Sequence, residues 1–261
     1  MKVVIFCGGF GTRFKEETER IPKPMISIGG KPILWHIMKY YSCYGFKEFV
    51  LCTGYKSEVI KDYFYHFAIH NADFTINLGN KGDISFHNHP TIDWKVTVAD
   101  TGWDTLKGGR LKRIEKYIDD DDDFMLTYGD GVSDVDLRAL LDFHRKHGKM
   151  VTVTGVYPPS LFGELISDDD GNVLDFSEKP QTTKGMINGG FFVLNRQIFD
   201  YLSADAKCDF EIGVLDRLVH QKDAMVYCHQ GHWQCMDTLR DKVYLERLWE
   251  EGKAFWKIWE D

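Results

Sequence analysis

The sequence predicts an α/β fold with a doubly wound, mixed but mostly parallel sheet that helices cover on both faces. Short apolar runs rich in β-branched residues alternate with segments of helical period along most of the chain. A β-rich insertion interrupts this alternation late, at residues 160–190. The length of 261 residues suffices for one large core, with or without an appended lobe.

Strands are predicted where apolar and β-branched residues run together, and helices where apolar residues recur every three or four positions. The predicted strands are Lys2–Cys7, Glu48–Thr53, Lys95–Ala99, Phe124–Tyr128, Val151–Val156 and Gly190–Leu194. The predicted helices are Pro32–Cys43, Ser57–Ile69, Arg110–Tyr117, Asp134–His147, Phe210–Gln221 and Leu239–Glu251. This alternation is typical of βαβ units and therefore of parallel strands.

Single residues predict where several of the helices begin or end. Pro32 suits the first turn of its helix, where no backbone N–H is needed from it. Ser57 is a candidate N-cap for the following helix. Gly148, directly after His147, is expected to end its helix in the left-handed conformation.

Two late segments complete the predicted organisation. The acidic residues Asp168 to Asn172 separate two strand-like runs, Gly163–Ile166 and Val173–Phe176, which predicts a hairpin. A helical tail rich in aromatic residues is expected over residues 239–261, where it is a candidate interface. We expect a single domain with a core at about 1–158 and a second part at about 159–238, followed by this tail.

The composition excludes some classes of function. A formal net charge of −8 argues against a nucleic-acid partner, because binding a phosphate backbone needs a basic surface. No stretch approaches the ~18 apolar residues of a membrane helix, and no signal-peptide pattern precedes the first strand, so a cytoplasmic location is expected. The six cysteines are scattered without a C-x-x-C pair, which predicts reduced and mostly buried thiols.

The N-terminal segment carries the strongest functional signal. The apolar run Val3–Phe6 leads into Gly8-Gly9-Phe10-Gly11 and Thr12-Arg13, and Pro22-Lys23-Pro24 follows farther along. Glycines after a strand let backbone N–H groups approach a phosphate, because no Cβ blocks them. Prolines on both sides of Lys23 keep the backbone extended and help to aim its side chain. The segment predicts a phosphate-handling enzyme.

Two common phosphate-binding motifs are excluded. In a G-x-G-x-x-G alignment that starts at Gly9, the last position is Phe14, so the dinucleotide-binding fingerprint fails. No Gly-Lys-Ser/Thr follows at the spacing of a P-loop. An NAD-dependent oxidoreductase is therefore disfavoured.

The motifs together resemble the signature of the sugar-1-phosphate nucleotidylyltransferases. They are Gly8-Gly9-x-Gly11-Thr12-Arg13, Pro22-Lys23-Pro24, Tyr128-Gly129-Asp130-Gly131, Glu178-Lys179-Pro180 and Asn188-Gly189-Gly190, in this order along the chain. Within the family the sequence is most similar to the glucose-1-phosphate cytidylyltransferases, through residues 31–38, 108–113, 186–192 and 236–241. The family has a Rossmann-like fold, joins a nucleoside triphosphate to a sugar 1-phosphate and releases pyrophosphate.

Two aspartates are candidate metal ligands. Asp130 follows the predicted strand Phe124–Tyr128, and the carboxyl ends of strands are where ligands bind in a doubly wound sheet. Asp237 follows another strand-like run, Trp233–Met236. Mg²⁺ prefers one or two carboxylates together with phosphate oxygens. The resemblance assigns both aspartates to Mg²⁺.

The resemblance implies that the chain transfers a cytidylyl group from CTP to α-D-glucose 1-phosphate, giving CDP-glucose for deoxysugar and O-antigen type polysaccharides. Arg13 and Lys23 are the implied catalytic residues. The implied nucleotide-binding residues are Phe6, Cys7, Gly8, Gly9, Phe10, Gly11, Thr12, Arg13, Lys23, Thr105, Arg110 and Gly129, and the implied sugar-phosphate-binding residues are Gly163, Glu178, Lys179, Asn188 and Gly189. The resemblance assigns nucleotide binding to the core at about 1–158 and sugar-phosphate binding to the part at about 159–238. It also implies a homo-oligomer, which is a hexamer in relatives.

Several alternatives stay open. The nucleotide could be UTP, dTTP or ATP, because backbone groups can read a pyrimidine without leaving a signal in the sequence. The sugar 1-phosphate could differ, and the chain could be a non-catalytic regulatory relative. The intact Arg13, Lys23, Asp130, Lys179 and Asp237 argue against a regulatory role.

Three groups of polar residues are discounted as sites. The four potential zinc ligands in Cys228-His229-x-x-His232-x-x-Cys235 lack the usual pairing of structural zinc sites. Asp62, His66 and His70 share a helix face that is expected to be solvated. Asp119–Asp123 lacks the alternating ligands and central glycine of a calcium loop.

Overall fold

The strands of the protein are short and follow one another closely. A computed structural model describes residues 1–79, 83–87, 92–118, 122–158, 164–168, 172–177 and 185–260, with the backbone alone at residues 13, 15, 16, 164–167 and 175–177. The strands are β1 (Lys2–Phe6), β2 (Ser27–Ile28), β3 (Lys31–Pro32), β4 (Glu48–Thr53), β5 (Asp73–Ile76), β6 (Ile84–His87), β7 (Lys95–Asp100), β8 (Asp123–Tyr128), β9 (Gly131–Ser133), β10 (Val151–Val156), β11 (Glu164–Ser167), β12 (Val173–Ser177), β13 (Ile187–Asn195), β14 (Ala224–Cys228) and β15 (Trp233–Cys235).

The helices lie between these strands and after the last of them. The α-helices are α1 (Lys15–Thr18), α2 (Ile33–Cys43), α3 (Ser57–Tyr65), α4 (Phe67–Asn71), α5 (Lys107–Arg113), α6 (Leu137–His147), α7 (Asp216–His220) and α8 (Leu239–Glu250). Short 3₁₀ turns occupy Thr12–Phe14, Lys23–Met25, Glu115–Tyr117 and Arg196–Tyr201, and Phe210–Leu215 is a π-helix. None of the helices in the described part of the chain has the length and apolar character needed to cross a bilayer.

In the described residues, seven strands form a central sheet in the order β14-β10-β13-β8-β1-β4-β7. The strands β8, β1, β4 and β7 are parallel, as are β14 and β10, whereas β13 runs antiparallel to both of its neighbours. The predicted mixed, mostly parallel sheet is therefore confirmed. The four parallel strands end at one edge, where the loops that form the site begin.

Alternate side chains of each strand enter two hydrophobic cores on opposite faces of the sheet. Val3 and Ile5 belong to one core, which α2 and α8 cover, and Val4 and Phe6 belong to the other. The second core also contains Leu111 of α5. Burial on both faces explains why β1 reads as a continuous apolar run.

The predicted strands agree closely with the structure, but four helices differ, one of them, α6, at its first turn. The predicted helix at 57–69 breaks at His66 into α3 and α4. Ser57 is not its N-cap, because Lys56 takes that place with a left-handed φ of 51°. The predicted helix at 210–221 begins as a π-helix. Gly148 ends α6 as predicted, with φ 62°.

The helix predicted at 110–117 starts earlier, at Lys107, and ends at Arg113. Gly108 and Gly109 lie within this helix. Position 108 requires glycine because another segment of the chain passes too close for a side chain, and a Cβ there would lie 2.8 Å from the Cys208 carbonyl oxygen. Tertiary packing outweighs the poor helix propensity of glycine at this position.

The late segments follow the predictions in part. The strands β11 and β12 pair antiparallel, with Leu165 opposite Phe176, whereas the middle of the predicted turn lies outside the described residues. Past Glu250 the tail is irregular rather than helical, because Trp256 is buried against α2 of the same chain. Only Cys7 and Cys52 of the six free cysteines are buried, so the prediction of mostly buried thiols was wrong.

The buried His36 on α2 anchors this tail. Its Nε2 lies 2.8 Å from the Ile28 carbonyl oxygen, which can only accept, so Nε2 carries the proton. Nδ1 then accepts from Trp256 Nε1 at 3.4 Å. Burial lowers the pKa of His36 from 6.5 to about 4, and the ring is therefore neutral in the folded protein.

We expect the protein to lose stability as the pH falls from 6.5 towards 4, because the unfolded state takes up a proton on His36 before the folded state does. This group contributes about 3 kcal/mol over that window. The pH dependence of the free energy of unfolding, measured by urea denaturation, should flatten in His36→Asn. The exposed His220 provides a control, and an equal flattening in His220→Asn would contradict the assignment.

Candidate active site

A cavity of about 840 Å³ opens at the carboxyl ends of the parallel strands. Among the residues predicted from the sequence, its walls contain Phe6, Cys7, Gly8, Gly9, Phe10, Gly11, Thr12, Lys23, Thr105, Arg110, Gly129, Asp130, Asn188, Gly189 and Asp237. The backbone of Arg13 lies in the turn after Gly11, but its side chain lies outside the description. Gly163, Glu178 and Lys179 also lie outside the described residues.

The glycines between β1 and the first turn have different roles. Gly11 adopts φ 62°, and its carbonyl accepts from Phe14 N–H at 2.9 Å, which closes the turn. Gly9 is exposed, and no described atom would contact a Cβ placed there, so its backbone is open to a ligand. Gly8 has no room for a side chain, because the Arg110 guanidinium packs directly against it.

Arg110 connects three loops at this edge of the sheet. Its Nη2 donates to the Gly8 carbonyl at 2.9 Å, and its Nη1 donates to the Thr53 carbonyl at 3.0 Å and the Gly102 carbonyl at 2.7 Å. Gly8 and Gly102 follow β1 and β7, and Thr53 is the last residue of β4. The side chain is 4% exposed, so its charge is taken up by backbone carbonyls of the chain itself.

Thr105, another residue predicted to bind the nucleotide, also forms a side-chain hydrogen bond within the protein. Thr105 Oγ1 accepts from Arg113 Nη1 at 3.0 Å. Both Thr105 and Arg110 line the cavity, but their described side-chain partners belong to the protein. Direct contact of either side chain with a nucleotide stays a prediction.

Lys23 stands between the two predicted metal ligands. Its Nζ lies 2.7 Å from Asp130 Oδ2 and pairs also with Asp237 Oδ1. Burial alone would lower the pKa of Lys23, but the two carboxylates, Asp130 above all, outweigh this effect and raise the pKa. Residues far apart in the sequence thus meet in one partly buried cluster of charges.

A short ribbon brings these aspartates together. The strands β9 and β15 pair antiparallel with Gly131 opposite Cys235, and Met236 N–H donates to the Asp130 carbonyl at 2.9 Å. Asp130 precedes β9 and Asp237 follows β15 closely, so both lie at the same end of the ribbon. Alternation along the strand directs Trp233, Cys235 and Asp237 to the cavity.

The backbone of Asp237 is fixed by the start of α8. Thr238 and Asp241 form a capping box there, and Asp241 Oδ2 accepts from Asp237 N–H at 3.0 Å. Cys235 Sγ lies 3.5 Å from Asp237 Oδ2, and burial, with Asp237 next, raises the pKa of this thiol to about 12. Cys235 is therefore a neutral donor beside the carboxylates.

The second end of the cavity is built by β13 and β8. Asn188 Oδ1 accepts from Gly190 N–H at 2.9 Å, and its Nδ2 lies 3.0 Å from the Tyr128 hydroxyl. Trp233 Nε1 donates to the Gly189 carbonyl at 2.7 Å. The predicted sugar-side residues Asn188 and Gly189 are thus held by two aromatic side chains.

Sequence reasoning missed several polar and aromatic side chains of the cavity, among them Lys107, Tyr128, Glu211 and Trp233. Tyr128 begins one of the recognised motifs, and Trp233 has the same strand parity as Asp237, so both could have been found. Lys107 and Glu211 carry no such signal, since they meet only through the fold.

The discounted residues have structural partners. Asp134 Oδ1 lies 2.8 Å from His229 Nε2, and Asp134 Oδ2 lies 2.9 Å from His232 Nδ1. Asp134 was also predicted to begin a helix, but α6 begins at Leu137 with Asp136 as its N-cap. Among the described residues no cluster of three or more potential ligands could hold a metal ion.

The fold and the cavity define a class of enzyme. The family model described as nucleotidyl transferase matches residues 2–261, and the chain belongs to this family. Enzymes of the family generally use a divalent metal ion. The predicted sugar-1-phosphate nucleotidylyltransferase family is thereby confirmed.

Individual relatives within this family indicate a more specific kind of enzyme. The chain is 51% identical over 260 residues to the glucose-1-phosphate cytidylyltransferases of Salmonella typhi and Salmonella typhimurium, with 100% of both chains covered in each case. In three dimensions it is similar to HddC from Yersinia pseudotuberculosis, with a TM-score of 0.66, 24% identity, and coverage of 95% of this chain and 99% of that one. The structural likeness supports the fold.

We expect Arg110→Lys to lower the free energy of unfolding by about 2–4 kcal/mol, because a lysine cannot serve the carbonyls of three loops at once. Urea denaturation measures this loss. The exposed Arg138 on α6 provides the matched control, and Arg138→Lys should change stability by less than about 0.5 kcal/mol. Equal effects of the two substitutions would contradict the role of Arg110.

Proposed function

We propose that this chain transfers a cytidylyl group from CTP to α-D-glucose 1-phosphate and releases pyrophosphate. The relatives with 51% identity over the whole chain support both the nucleotide and the sugar. The observation that carries the chemistry is the convergence of Lys23, Asp130 and Asp237 next to the glycine loop.

The cavity offers separate places for the two substrates. The open backbone at Gly9 and the turn after Gly11 suit the triphosphate of CTP, because backbone N–H groups bind phosphate oxygens. Asn188 and Gly189 suit the sugar, and the resemblance adds Glu178 for its hydroxyls and Lys179 for its phosphate.

The donor set of the site fits Mg²⁺. Asp130 and Asp237 direct oxygens from two different loops at one cation, the Lys23 ammonium, and hard oxygen donors of this kind suit magnesium. These two aspartates would hold the ion, with phosphate oxygens of the substrates as further ligands. When bound, the ion neutralises negative charge on the phosphates.

The reaction is a direct displacement at phosphorus. An oxygen of the sugar phosphate forms a bond to the α-phosphorus of CTP, while the bond from this phosphorus to the bridging oxygen breaks and pyrophosphate leaves. The chain contributes positions and charges rather than covalent chemistry. We assign Lys23 to stabilising charge at the α-phosphate and Arg13 to stabilising the leaving pyrophosphate.

The substrate assignment is tested by pyrophosphate release from glucose 1-phosphate with CTP, UTP, dTTP and ATP in parallel. We expect kcat/KM for CTP to exceed the others by at least tenfold, a discrimination within reach of hydrogen bonds to a base edge. Equal rates with two nucleotides would contradict the assignment of CTP. Absence of pyrophosphate release with all four would contradict an enzymatic function.

Removing the Lys23 charge tests the mechanism. We expect Lys23→Ala to lower kcat by about 10²–10³-fold, the range for one preorganised electrostatic group. The exposed Lys95, which pairs with Glu48 on the surface, provides the control, and Lys95→Ala should keep full turnover. Near-normal turnover of a folded Lys23→Ala variant would contradict the mechanism.

The proposal extends to assembly and location. We assign the chain to the cytoplasm as a homo-oligomer, a hexamer as the resemblance implies, that supplies precursors of lipopolysaccharide-type polymers. The β5–β6 hairpin supports self-association. Phe74, Ile76 and Ile84 are 40%, 43% and 39% exposed, and the strand register places them on one face of the hairpin.

A further inference from the structure

A continuous chain of hydrogen bonds runs along one wall of the cavity, from Lys107 to Asn188. Lys107 Nζ pairs with Glu211 Oε1, and the Tyr128 hydroxyl lies 2.7 Å from the same oxygen. Asn188 Nδ2 lies 3.0 Å from the Tyr128 hydroxyl. The Lys107 ammonium also lies 4.7 Å from the centroid of the Tyr128 ring. Lys107 and Glu211 have no part in the reaction described above.

The chemistry of the partners sets the direction of each bond. A carboxylate can only accept, so the Tyr128 hydroxyl gives its single proton to Glu211. Burial raises the pKa of Tyr128, and Glu211 raises it further, so the hydroxyl keeps this proton. Toward Asn188 the Tyr128 hydroxyl can therefore act only as an acceptor. The Asn188 side chain must accordingly turn its Nδ2 group, and not its amide oxygen, to this hydroxyl.

Both ends of the Asn188 amide are consequently fixed. Its Oδ1 accepts from Gly190 N–H at 2.9 Å. Gly190 has φ 83°, and a Cβ there would lie 2.5 Å from Tyr128 Cδ2, so this close approach needs glycine. One N–H of Nδ2 and one lone pair of Oδ1 are left over for a ligand. If the amide turned over, donor and acceptor would exchange places.

Glu211 reaches this network from a separate element. It lies in the π-helix Phe210–Leu215, whose N-cap Asp209 accepts from Ile212 N–H at 2.7 Å. Tyr128 and Asn188 come from β8 and β13. Insertions that widen a helix in this way often occur at functional sites. The π-helix thus delivers the one acceptor that decides the direction of the hydrogen-bond chain.

We propose that Glu211 is a positioning residue for the sugar 1-phosphate, which it orients through Tyr128 and Asn188. The inference rests on the proposed function, since it takes the sugar as the ligand of Asn188. Lys107 keeps Glu211 in place by pairing with the oxygen that accepts from Tyr128. Glu211 acts on the sugar side alone, because its chain of contacts leads to Asn188 and not to the glycine loop.

Steady-state kinetics of Glu211→Ala, Tyr128→Phe and the double variant test this proposal. Each single variant should raise KM for glucose 1-phosphate about tenfold, the effect of one misdirected polar contact, and leave KM for CTP within about twofold. The double variant should raise KM for glucose 1-phosphate no more than either single variant does, because both residues act through the same chain of hydrogen bonds. Glu211→Gln should have a KM for glucose 1-phosphate close to that of the wild type, since the glutamine amide oxygen can still accept from the Tyr128 hydroxyl.

Glu115→Gln is the matched control. Glu115 lies outside the cavity, where its carboxylate pairs with Lys112 Nζ at 2.8 Å. The same change of charge there should leave kcat and both KM values as in the wild type. Equal increases in both KM values, or additive losses in the double variant, would show a merely structural role and overturn the proposal.

A second measurement separates this proposal from the proposed function. If the wild type forms no CDP-glucose, the proposed function fails, whereas the side-chain amide resonances of Asn188 in ¹⁵N-labelled, ligand-free protein still report on the hydrogen-bond chain. These resonances should shift in Glu211→Ala and stay in place in Glu115→Gln. Unchanged resonances in Glu211→Ala would overturn the proposal whatever the activity.

Discussion

The buried guanidinium of Arg110 holds the loops on which the site depends. Arg110 donates to backbone carbonyls at the ends of three parallel strands, namely Gly8 after β1, Thr53 at the end of β4 and Gly102 after β7. The two glycines beside it, Gly8 and Gly54, leave the space that the guanidinium fills. Gly8 in the glycine loop is therefore needed to make room for the Arg110 guanidinium, which hydrogen-bonds to the loop backbone.

The balance of charge in the cavity supports the proposal that a cation binds there. Lys23 is shared between Asp130 and Asp237, so this cluster has a net negative charge before any substrate enters. A triphosphate would be repelled by such a cluster unless further positive charge arrived with it. A divalent ion on the aspartates, as proposed above, would resolve this conflict and would leave the Lys23 ammonium available to a phosphate oxygen.

The sequence was sufficient for the sheet and for much of the site, for physical reasons that differ between residues. Strands such as β1 and β8 are buried on both faces, so their apolar runs are unambiguous. Asp130 follows such a strand directly, and its position could be predicted. The pairing of Lys107 with Glu211 could not, because it depends on how α5 packs against a π-helix. Likewise, the helical Gly108 and the non-helical tail reflect tertiary contacts that no local pattern encodes.

The β9–β15 ribbon has a consequence for the order in which the protein becomes functional during its synthesis. Asp237 and Trp233 reach the cavity only through pairing of β15 with β9, although the glycine loop and Asp130 precede them by more than a hundred positions. A nascent chain on the ribosome thus exposes its glycine loop well before the residues that complete the cavity. Until residue 237 has emerged, Lys23 has one of its two carboxylate partners, and the cluster of charges beside the loop is incomplete.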